Sequence, residues 1–384
     1  MSKETFLMKD SINPKVVKEL SLRIKKHYKN FEDVQFSKVI IKDLKKLELK
    51  ERVYLVSQSL HKYLPSDFKK SVSILIKSLP EALPNNSKEI EGYGESKLKS
   101  LHGFIMISIT NYVSEFGIDD FKTSMDALYI MTSRFSAEEA ARYFIKEYPK
   151  ETLKLYKKWS KDKDMHVRRL VTESTRPRLP WTMQLPRFID DPTPVLPLLE
   201  SLKNDKELYV RRSIANNLND ISKDNPQIVI RILEEWNKDR SSNMQWLIKH
   251  ALRTLIKQGN TEALKILGFN KNFKATVKSL RLDDSKVKLG SSLNFGVEVE
   301  STSNQEQWLM IDYVIHHMKA NGKLTPKVFK LRKVKIKAGE KIVFSKKHSI
   351  KEISTRKYYS GEHQVQLMIN GNLYPKVKFE LNCK

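Results

Sequence analysis

The segment WSKDKDMHVRR at residues 159–169 returns 43 residues later as LKNDKELYVRR at residues 202–212. A weaker copy relates YVRRSIANNL at 209–218 to WLIKHALRTL at 246–255, and YPKETLKLYKKWSKD at 148–162 resembles NPQIVIRILEEWNKD at 225–239. Repeats of about 40 residues built from paired helices are typical of HEAT-type solenoids, whose inner helices line one concave surface. The repeat therefore predicts a mainly α fold, a HEAT-like α-solenoid.

The pattern of apolar residues changes near residue 270. FSKVIIKDLKKLELKERVYLVSQSLHKYL at 36–64 has apolar residues at three- and four-residue spacings, which is typical of helices. After residue 273, stretches such as KVFKLRKVKIKAGEKIVFS alternate with period two, and Asn-Gly pairs at 321–322 and 370–371 indicate hairpins. We therefore predict a helical domain over 1–270 and an immunoglobulin-like β-sandwich over 273–384.

The chain is strongly basic, with 71 Lys and Arg against 45 Asp and Glu and a formal net charge of +26. Such a charge indicates a polyanionic partner, most often nucleic acid, although a lysine-rich proteome would raise the count as well. The only cysteine is Cys383, so disulfides and cysteine-based metal or nucleophile sites lack support. The N-terminal sequence lacks the apolar run of a signal peptide, and no apolar stretch reaches membrane-spanning length, so we expect a cytoplasmic protein.

A helical projection of the repeats divides their residues between two faces. At 100° per residue, Val167, Leu170, Val171 and Ser174 share the face that must be packed. The opposite face aligns across the three repeats, and we predict that it forms a basic, DNA-binding wall of Arg169, Arg176, Arg212, Lys249, Arg253 and Lys257. Asn216, which takes the place of Glu173 in the second repeat, is a further candidate for DNA binding. The alternative is a solvated helix face with ordinary i,i+4 ion pairs.

Two carboxylates, Glu173 and Asp220, interrupt this wall. Surrounding cations favour the charged form of Glu173, and an ionised carboxylate repels phosphate unless a positive group forms opposite it. A cationic alkylated base, or a sugar that becomes an oxocarbenium ion, is such a group. A register-fixing salt bridge explains Glu173 about as well at this point.

Three stretches carry a resemblance to a known family: HVRRLVTESTRPRLPW, DPTPVLPLLESLKNDKELYVRRSIANNLNDISKDNP and FGIDDFKTSMDALYIMTSRFSAEEAARYF. They resemble the AlkC branch of the AlkC/AlkD DNA alkylation repair glycosylases, over most of residues 50–268. The tail resembles the immunoglobulin-like domain of some AlkC members. The resemblance implies a monofunctional glycosylase that hydrolyses the bond to 3-methyladenine in duplex DNA, with 3-methylcytosine a further substrate. It implies a lesion that is not fully flipped, no cofactor, no metal, and a monomer.

The resemblance also assigns residues. Glu173 and Asp220 fall on the catalytic glutamate and aspartate, Glu138 on a third acidic position, and Trp181 on an aromatic residue that packs near the lesion. For Glu138 the alternative is an acid that suits the start of a helix, and for Trp181 it is a core anchor between repeats. The alternative for the whole protein is a non-catalytic HEAT-repeat scaffold that binds nucleic acid.

Overall fold

The computed structural model describes residues 6–91 and 95–383. They form two compact units. The first comprises the described residues up to Asn225 together with Ser241–Ala251, and the second comprises Pro226–Arg240 and the described residues from Leu252 onward. None of the helices in the described part of the chain is both long and apolar enough to cross a membrane.

The first unit is helical. Short 3₁₀ helices occupy Met8–Ser11 and Leu44–Lys46. Its α-helices are α1 Pro14–His27, α2 Asp33–Asp43, α3 Leu49–Tyr63, α4 Phe68–Ser78, α5 Ser87–Glu91, α6 Glu95–Leu98, α7 Ile105–Phe116, α8 Phe121–Met131, α9 Glu138–Glu147, α10 Pro149–Trp159, α11 Met165–Ser174, α12 Pro186–Asp190, α13 Leu196–Leu202, α14 Leu208–Ile221 and α16 Ser242–Ala251.

The repeat seen in the sequence corresponds to successive helical layers. Helix α11 packs against α9 and α14, and α14 packs against α16. Val167, Leu170, Val171 and Ser174 are buried, so the predicted packed face of α11 is confirmed. The opposite side of α11 is covered as well, because Glu173 is only 5% exposed.

The first arginine of each Arg-Arg pair holds the layers together. Arg168 donates to both carboxylate oxygens of Asp205, at 2.6 and 3.0 Å, and to the carbonyl oxygens of residues 162 and 163. Arg211 repeats the pattern one layer on, with the carbonyl oxygens of 205 and 206 and with Asn243. A guanidinium group can serve several acceptors at once, which explains why the motif recurs at this point of each repeat.

The second unit contains three helices and an eight-stranded sandwich within its described residues. The helices are α15 Pro226–Trp236, α17 Arg253–Lys257 and α18 Thr261–Ile266. The strands are β1 Ala275–Leu282, β2 Lys286–Lys288, β3 Ser292–Ser301, β4 Gln307–Met318, β5 Leu324–Ile336, β6 Lys341–Ser349, β7 Gly361–Ile369 and β8 Asn372–Asn382. The sheet orders are β1-β3-β6 and β2-β8-β7-β4-β5, with β2 parallel to β8 and the other neighbours antiparallel.

The sandwich core follows the alternation predicted from the sequence. Leu293, Phe295, Val297 and Val299 on β3 are all buried at two-residue spacing. Both Asn-Gly pairs lie at hairpin turns, and Gly322 and Gly371 have φ of +75° and +85°. The mainly α fold with a small β-sandwich is therefore confirmed. The helix-to-strand change falls between Ile266 and Ala275, whereas the compact units divide elsewhere, so the domain boundaries stay a prediction.

Two glycines join the helical and β parts of the second unit. Gly259 follows α17 and has φ of +73°, and Gly371 lies in the β7–β8 turn. A Cβ atom added to Gly371 would lie 2.4 Å from the carbonyl oxygen of Gly259. Here the positive φ and the close approach of the two backbones both require glycine.

A register shift interrupts the alternation of strand β5. β5 is an edge strand, and its register against β4 shifts between Ile311 and Asp312. Arg332 pairs with the buried Ile311 and so faces the core side, while Lys330 pairs with Asp312 on the other face. The basic side chains of β5 are therefore divided between the two faces of the sheet.

Candidate active site

Two carboxylates from successive repeats meet the same arginine. Glu173 is the penultimate residue of α11, and Asp220 is the penultimate residue of α14. Arg176 Nη1 donates to Glu173 Oε1 at 2.6 Å, and its Nε donates to Asp220 Oδ2 at 2.8 Å. Lys223 Nζ lies 2.8 Å from Asp220 Oδ1. Packing of α11 on α14 thus brings together two acids that lie 47 positions apart in the sequence.

A second arginine extends the group to a third acid. Arg169 Nη1 lies 3.5 Å from Glu138 Oε2, and its Nη2 lies 3.7 Å from Glu173 Oε1. Its guanidinium lies 4.6 Å from the centre of the Tyr209 ring and donates to the Ser136 hydroxyl. We call Glu138, Glu173 and Asp220 the carboxylate cluster. Both arginines lie close to Oε1 of Glu173.

The environment shifts the pKa values of two acids of the carboxylate cluster in opposite directions. Burial alone would raise the pKa of Glu173, but Arg169 and Arg176 together hold this pKa below its ordinary value. Burial raises the pKa of Glu138 above its ordinary value; Arg169 only partly offsets this, and the nearby Glu173 charge adds to it. Glu173 is therefore ionised at neutral pH, and Glu138 is the acid of this pair that protonates more readily. Such a divergence between neighbouring acids is typical of catalytic sites.

A buried arginine on α9 shapes the loop that follows α11. Arg142 is fully buried and donates to the carbonyl oxygens of Ser174 at 2.8 Å, Arg176 at 2.6 Å and Met183 at 3.0 and 2.6 Å. Burial, followed by repulsion from Arg176, lowers the pKa of Arg142 to about 10, so the group stays protonated at neutral pH. The loop at 174–183 carries Trp181, and Arg142 therefore fixes its path.

Trp181 combines an unusual backbone conformation with an exposed side chain. Its φ is +66°, in the region that bulky residues rarely adopt, and 64% of the residue is exposed. Burial of the indole therefore does not offset the backbone strain, and the alternative of a core anchor between repeats is wrong. Strain of this kind concentrates at functional sites. Together with Glu138 and Arg169, Trp181 lines a cavity of about 390 Å³.

The predicted basic wall is only partly formed. Arg169 and Arg176 have side-chain exposures of 15% and 9% and are paired with carboxylates, so they are not exposed cations. Helix α11 ends at Ser174, and Arg176 is therefore not on the helix whose rotation placed it on the wall. Arg212 and Lys249 are exposed on α14 and α16.

The third repeat departs further from the projection. The helix expected over 246–257 is interrupted at Leu252, so α16 ends at Ala251 and α17 begins at Arg253. Arg253 and Lys257 belong to the second unit, where burial raises the pKa of Asp312 to about 6 and the nearby Lys257 offsets part of this rise. Asn216 accepts a hydrogen bond from His250 Nε2 at 3.1 Å in the first unit. A role of these residues in DNA binding stays a prediction.

Sequence reasoning missed two residues of the site. Arg142 and Tyr209 carried no functional assignment. A signal for Arg142 exists in EEAARYF, because this arginine lies on a helix face otherwise formed by alanine and phenylalanine, which indicates a buried polar contact. His166 is buried and also lines the cavity. Across residues 6–91 and 95–383, no group of three His, Cys, Asp or Glu side chains is placed to hold a metal ion.

Known proteins match the chain in both of its parts. The DNA alkylation repair enzyme family matches residues 132–255, and the C-terminal Ig-like domain of the uncharacterised protein YhaZ matches residues 276–383. YhaZ of Bacillus subtilis is 32% identical over 375 residues, covering 97% of this chain and 99% of that protein. The Pseudomonas fluorescens alkylpurine DNA glycosylase AlkC, solved bound to DNA containing an abasic site analogue, is 34% identical with a TM-score of 0.89, covering 98% of this chain and 100% of that one.

The helical repeats, the carboxylate cluster and the sandwich define a protein of the DNA alkylation repair class with a C-terminal immunoglobulin-like domain. Within that class the chain belongs to the AlkC family.

Proposed function

We propose that the protein is a DNA glycosylase that hydrolyses the N-glycosidic bond of alkylated purines in duplex DNA. The observation that carries this proposal is the carboxylate cluster, in which an ionised Glu173 is held by two buried arginines beside a cavity and an exposed, strained tryptophan. The family membership and the DNA-bound relative support the same function.

In the proposed reaction the bond between C1′ and the base nitrogen breaks with its electron pair leaving on the base. The departing electrons cancel the positive charge of an N3-alkylated base, so no acid is needed to protonate the leaving group. Glu173 and Asp220 stabilise the resulting oxocarbenium-like sugar and position the water, whose oxygen adds to C1′ while its proton passes to solvent. Arg176 keeps both carboxylates in place because it donates to each of them.

The substrates follow from the family resemblance. We infer 3-methyladenine as the main substrate, with 3-methylcytosine as a further one, and a lesion that is not fully flipped when the bond breaks. We assign the contact with the lesion to Trp181, and its exposed side chain and positive φ support this assignment. We further infer a monofunctional enzyme that acts as a monomer without metal or cofactor.

The experiment is release of base from methylated duplex DNA, with detection of free 3-methyladenine by liquid chromatography. Glu173→Gln should lower the excision rate at least tenfold, which corresponds to about 1.4 kcal/mol of transition-state stabilisation. Glu200→Gln is the matched control, because Glu200 is exposed on α13. The wild-type protein releasing base only at the spontaneous rate would refute the proposal.

Binding separates a catalytic role of Glu173 from a structural one. Glutamine keeps the shape of Glu173 but leaves Arg169 and Arg176 with surplus positive charge, so affinity for undamaged duplex should stay the same or increase. Loss of both binding and cooperative unfolding in Glu173→Gln would instead assign the residue to the fold.

A further inference from the structure

A groove between helices α1 and α2 leaves apolar side chains uncovered in the first unit. It has a volume of about 680 Å³. Its floor is the contact line of the two helices, where the buried Ser37 hydroxyl donates to the Ser21 hydroxyl at 2.9 Å. Beside this line, Leu22 is 62% exposed and Val34 is 75% exposed. We call this feature the α1–α2 groove.

Exposed apolar residues are unexpected at this point of a helical stack. Helix α1 packs against α2 and α4, and α2 packs against α1 and α3, but the exposure of Leu22 and Val34 shows that no helix of the described chain covers them. The first helix pair of such a stack normally presents a polar outer face. An apolar strip bordered by polar side chains is instead typical of a surface that a partner covers.

Lysines border the α1–α2 groove. Lys18, Lys38 and Lys42 line it and are exposed, and none of them is ion-paired within residues 6–91 and 95–383. The acid in the lining, Asp33, lies 3.3 Å from Lys25, which offsets its charge. Residues 14–46 contain 10 Lys and Arg against 4 Asp and Glu. The groove therefore attracts a partner whose own surface is acidic.

The apolar strip and the lysines together select one kind of occupant. A second copy of this chain would bring the same excess of positive charge, and the two surfaces would repel each other. The phosphate backbone of DNA suits the lysines but has no apolar group for Leu22 and Val34. A helix with apolar side chains on one face and carboxylates beside them matches both features, and helices bind such grooves through residues at i, i+3, i+4 and i+7.

We propose that the α1–α2 groove binds an acidic amphipathic helix of a partner protein. The inference goes beyond the proposed function and does not rest on it, because no lining residue of the groove belongs to the carboxylate cluster or to the cavity beside that cluster. The lining on α2 runs from Asp33 to Lys42. This length is about 15 Å at 1.5 Å per residue, so the groove accommodates about three turns of the partner helix.

The test is fluorescence anisotropy of a fluorescein-labelled helical peptide of about 12 residues, which is long enough for three turns. The peptide carries leucine on one face and glutamate on the others, and it is titrated with the full-length protein at pH 7. We expect saturable binding of one peptide per chain. A second peptide with alanine in place of leucine keeps the charge but cannot fill the apolar strip, so it should bind at least tenfold more weakly.

Variants of the groove test the two features separately. Leu22→Glu and Val34→Glu should each weaken binding of the leucine peptide at least tenfold, because each replaces an apolar contact with a repelling charge. Both residues are exposed, so the fold should tolerate either change. Lys38→Glu combined with Lys42→Glu should weaken binding at least tenfold as well, since it reverses the charge beside the strip.

The matched control is Lys150→Glu combined with Lys154→Glu. Both lysines are exposed on α10 and are four residues apart, so this pair makes the same change in net charge away from the groove. It should leave the affinity for the leucine peptide within twofold of the wild-type value. Equal weakening by the control pair would reduce the binding to unspecific charge attraction and overturn the inference. So would a wild-type protein that does not bind the leucine peptide.

Two other results would assign the groove to a different partner. A Leu22→Glu protein that loses affinity for undamaged duplex DNA but not for the leucine peptide would make the groove a DNA contact. A wild-type dimer in sedimentation experiments that Leu22→Glu dissociates would make it an interface between copies of this chain. Either result would overturn the inference.

Discussion

Arg142 offers the sharpest test of how the fold positions the site. Its guanidinium donates to three carbonyl oxygens of the loop at 174–183, and the residue is fully buried. In Arg142→Met these carbonyl groups lose their donors at a cost of about 1–3 kcal/mol each, and the apolar methionine restores part of this through burial. We expect a loss of about 4 kcal/mol in the free energy of unfolding of the first unit.

The same substitution should reduce activity more than its effect on stability requires. Without Arg142 the loop loses the contacts that hold Arg176 and set the path to Trp181. At a temperature where the variant is still folded, excision of 3-methyladenine should fall at least tenfold. Arg142→Lys keeps the charge but cannot serve three carbonyl groups in the same geometry, so both losses should be intermediate.

Urea unfolding followed by circular dichroism gives the stability, and base release gives the activity. Arg187→Met is the matched control, because Arg187 is exposed on α12 and should cost less than about 0.5 kcal/mol. An Arg142→Met protein with the wild-type urea midpoint would refute the energetic reasoning. A destabilised variant with the wild-type excision rate would show that the loop does not depend on Arg142 for its active conformation.

Three other predictions concern single residues elsewhere. Gly371→Ala should destabilise the second unit by more than about 1 kcal/mol, measured by urea unfolding, because of its positive φ and the carbonyl oxygen of Gly259. Burial, followed by repulsion from Arg356, lowers the pKa of His317 to about 3 and that of His348 to about 4. Below pH 6.5 the unfolded chain therefore binds more protons than the folded one. The free energy of unfolding should be lower at pH 5 than at pH 8 by about 2 kcal/mol per histidine. A urea midpoint that does not change between these pH values would contradict this. Trp181→Asn should leave the free energy of unfolding unchanged or increase it, since asparagine tolerates a positive φ. The rate of excision should fall at least tenfold. A variant that is destabilised but still active would contradict the functional assignment.

The sequence predicted those features that depend on spacing along one helix or one strand. The 43-residue offset located α11 and α14 as equivalent helices, and the rotation of α11 placed Val167 and Leu170 on the packed side. The Asn-Gly pairs located both hairpin turns. Each of these signals is local, and each reports directly on a backbone geometry.

The features that the sequence did not predict depend on neighbouring layers. A helical projection gives the direction of Arg169 but not the groups that cover it, and here α9 and α14 supply Glu138 and Tyr209. The bulge at Ile311 and Asp312, and the helix break at Leu252, have no glycine or proline at the affected positions that would mark them. Arg142 acts across 32 to 41 positions of sequence, so only the packed structure reveals its partners.

The ion pairs of Arg169 and Arg176 explain how the Glu173 carboxylate can lie on the predicted basic, DNA-binding wall without repelling phosphate. An unpaired carboxylate that faces DNA would repel phosphate. Each acid of the carboxylate cluster, however, has a side-chain nitrogen of an arginine or lysine within 3.5 Å of one of its oxygens. The cluster is thus close to neutral when seen from a distance, and we expect the attraction of the phosphate backbone to depend on exposed residues such as Arg212 and Lys249. At close range the balance differs, because a group that comes next to Glu173 is nearer to its carboxylate than to the paired arginines. A sugar that develops positive charge there gains from the negative field of the carboxylate in the transition state but not before.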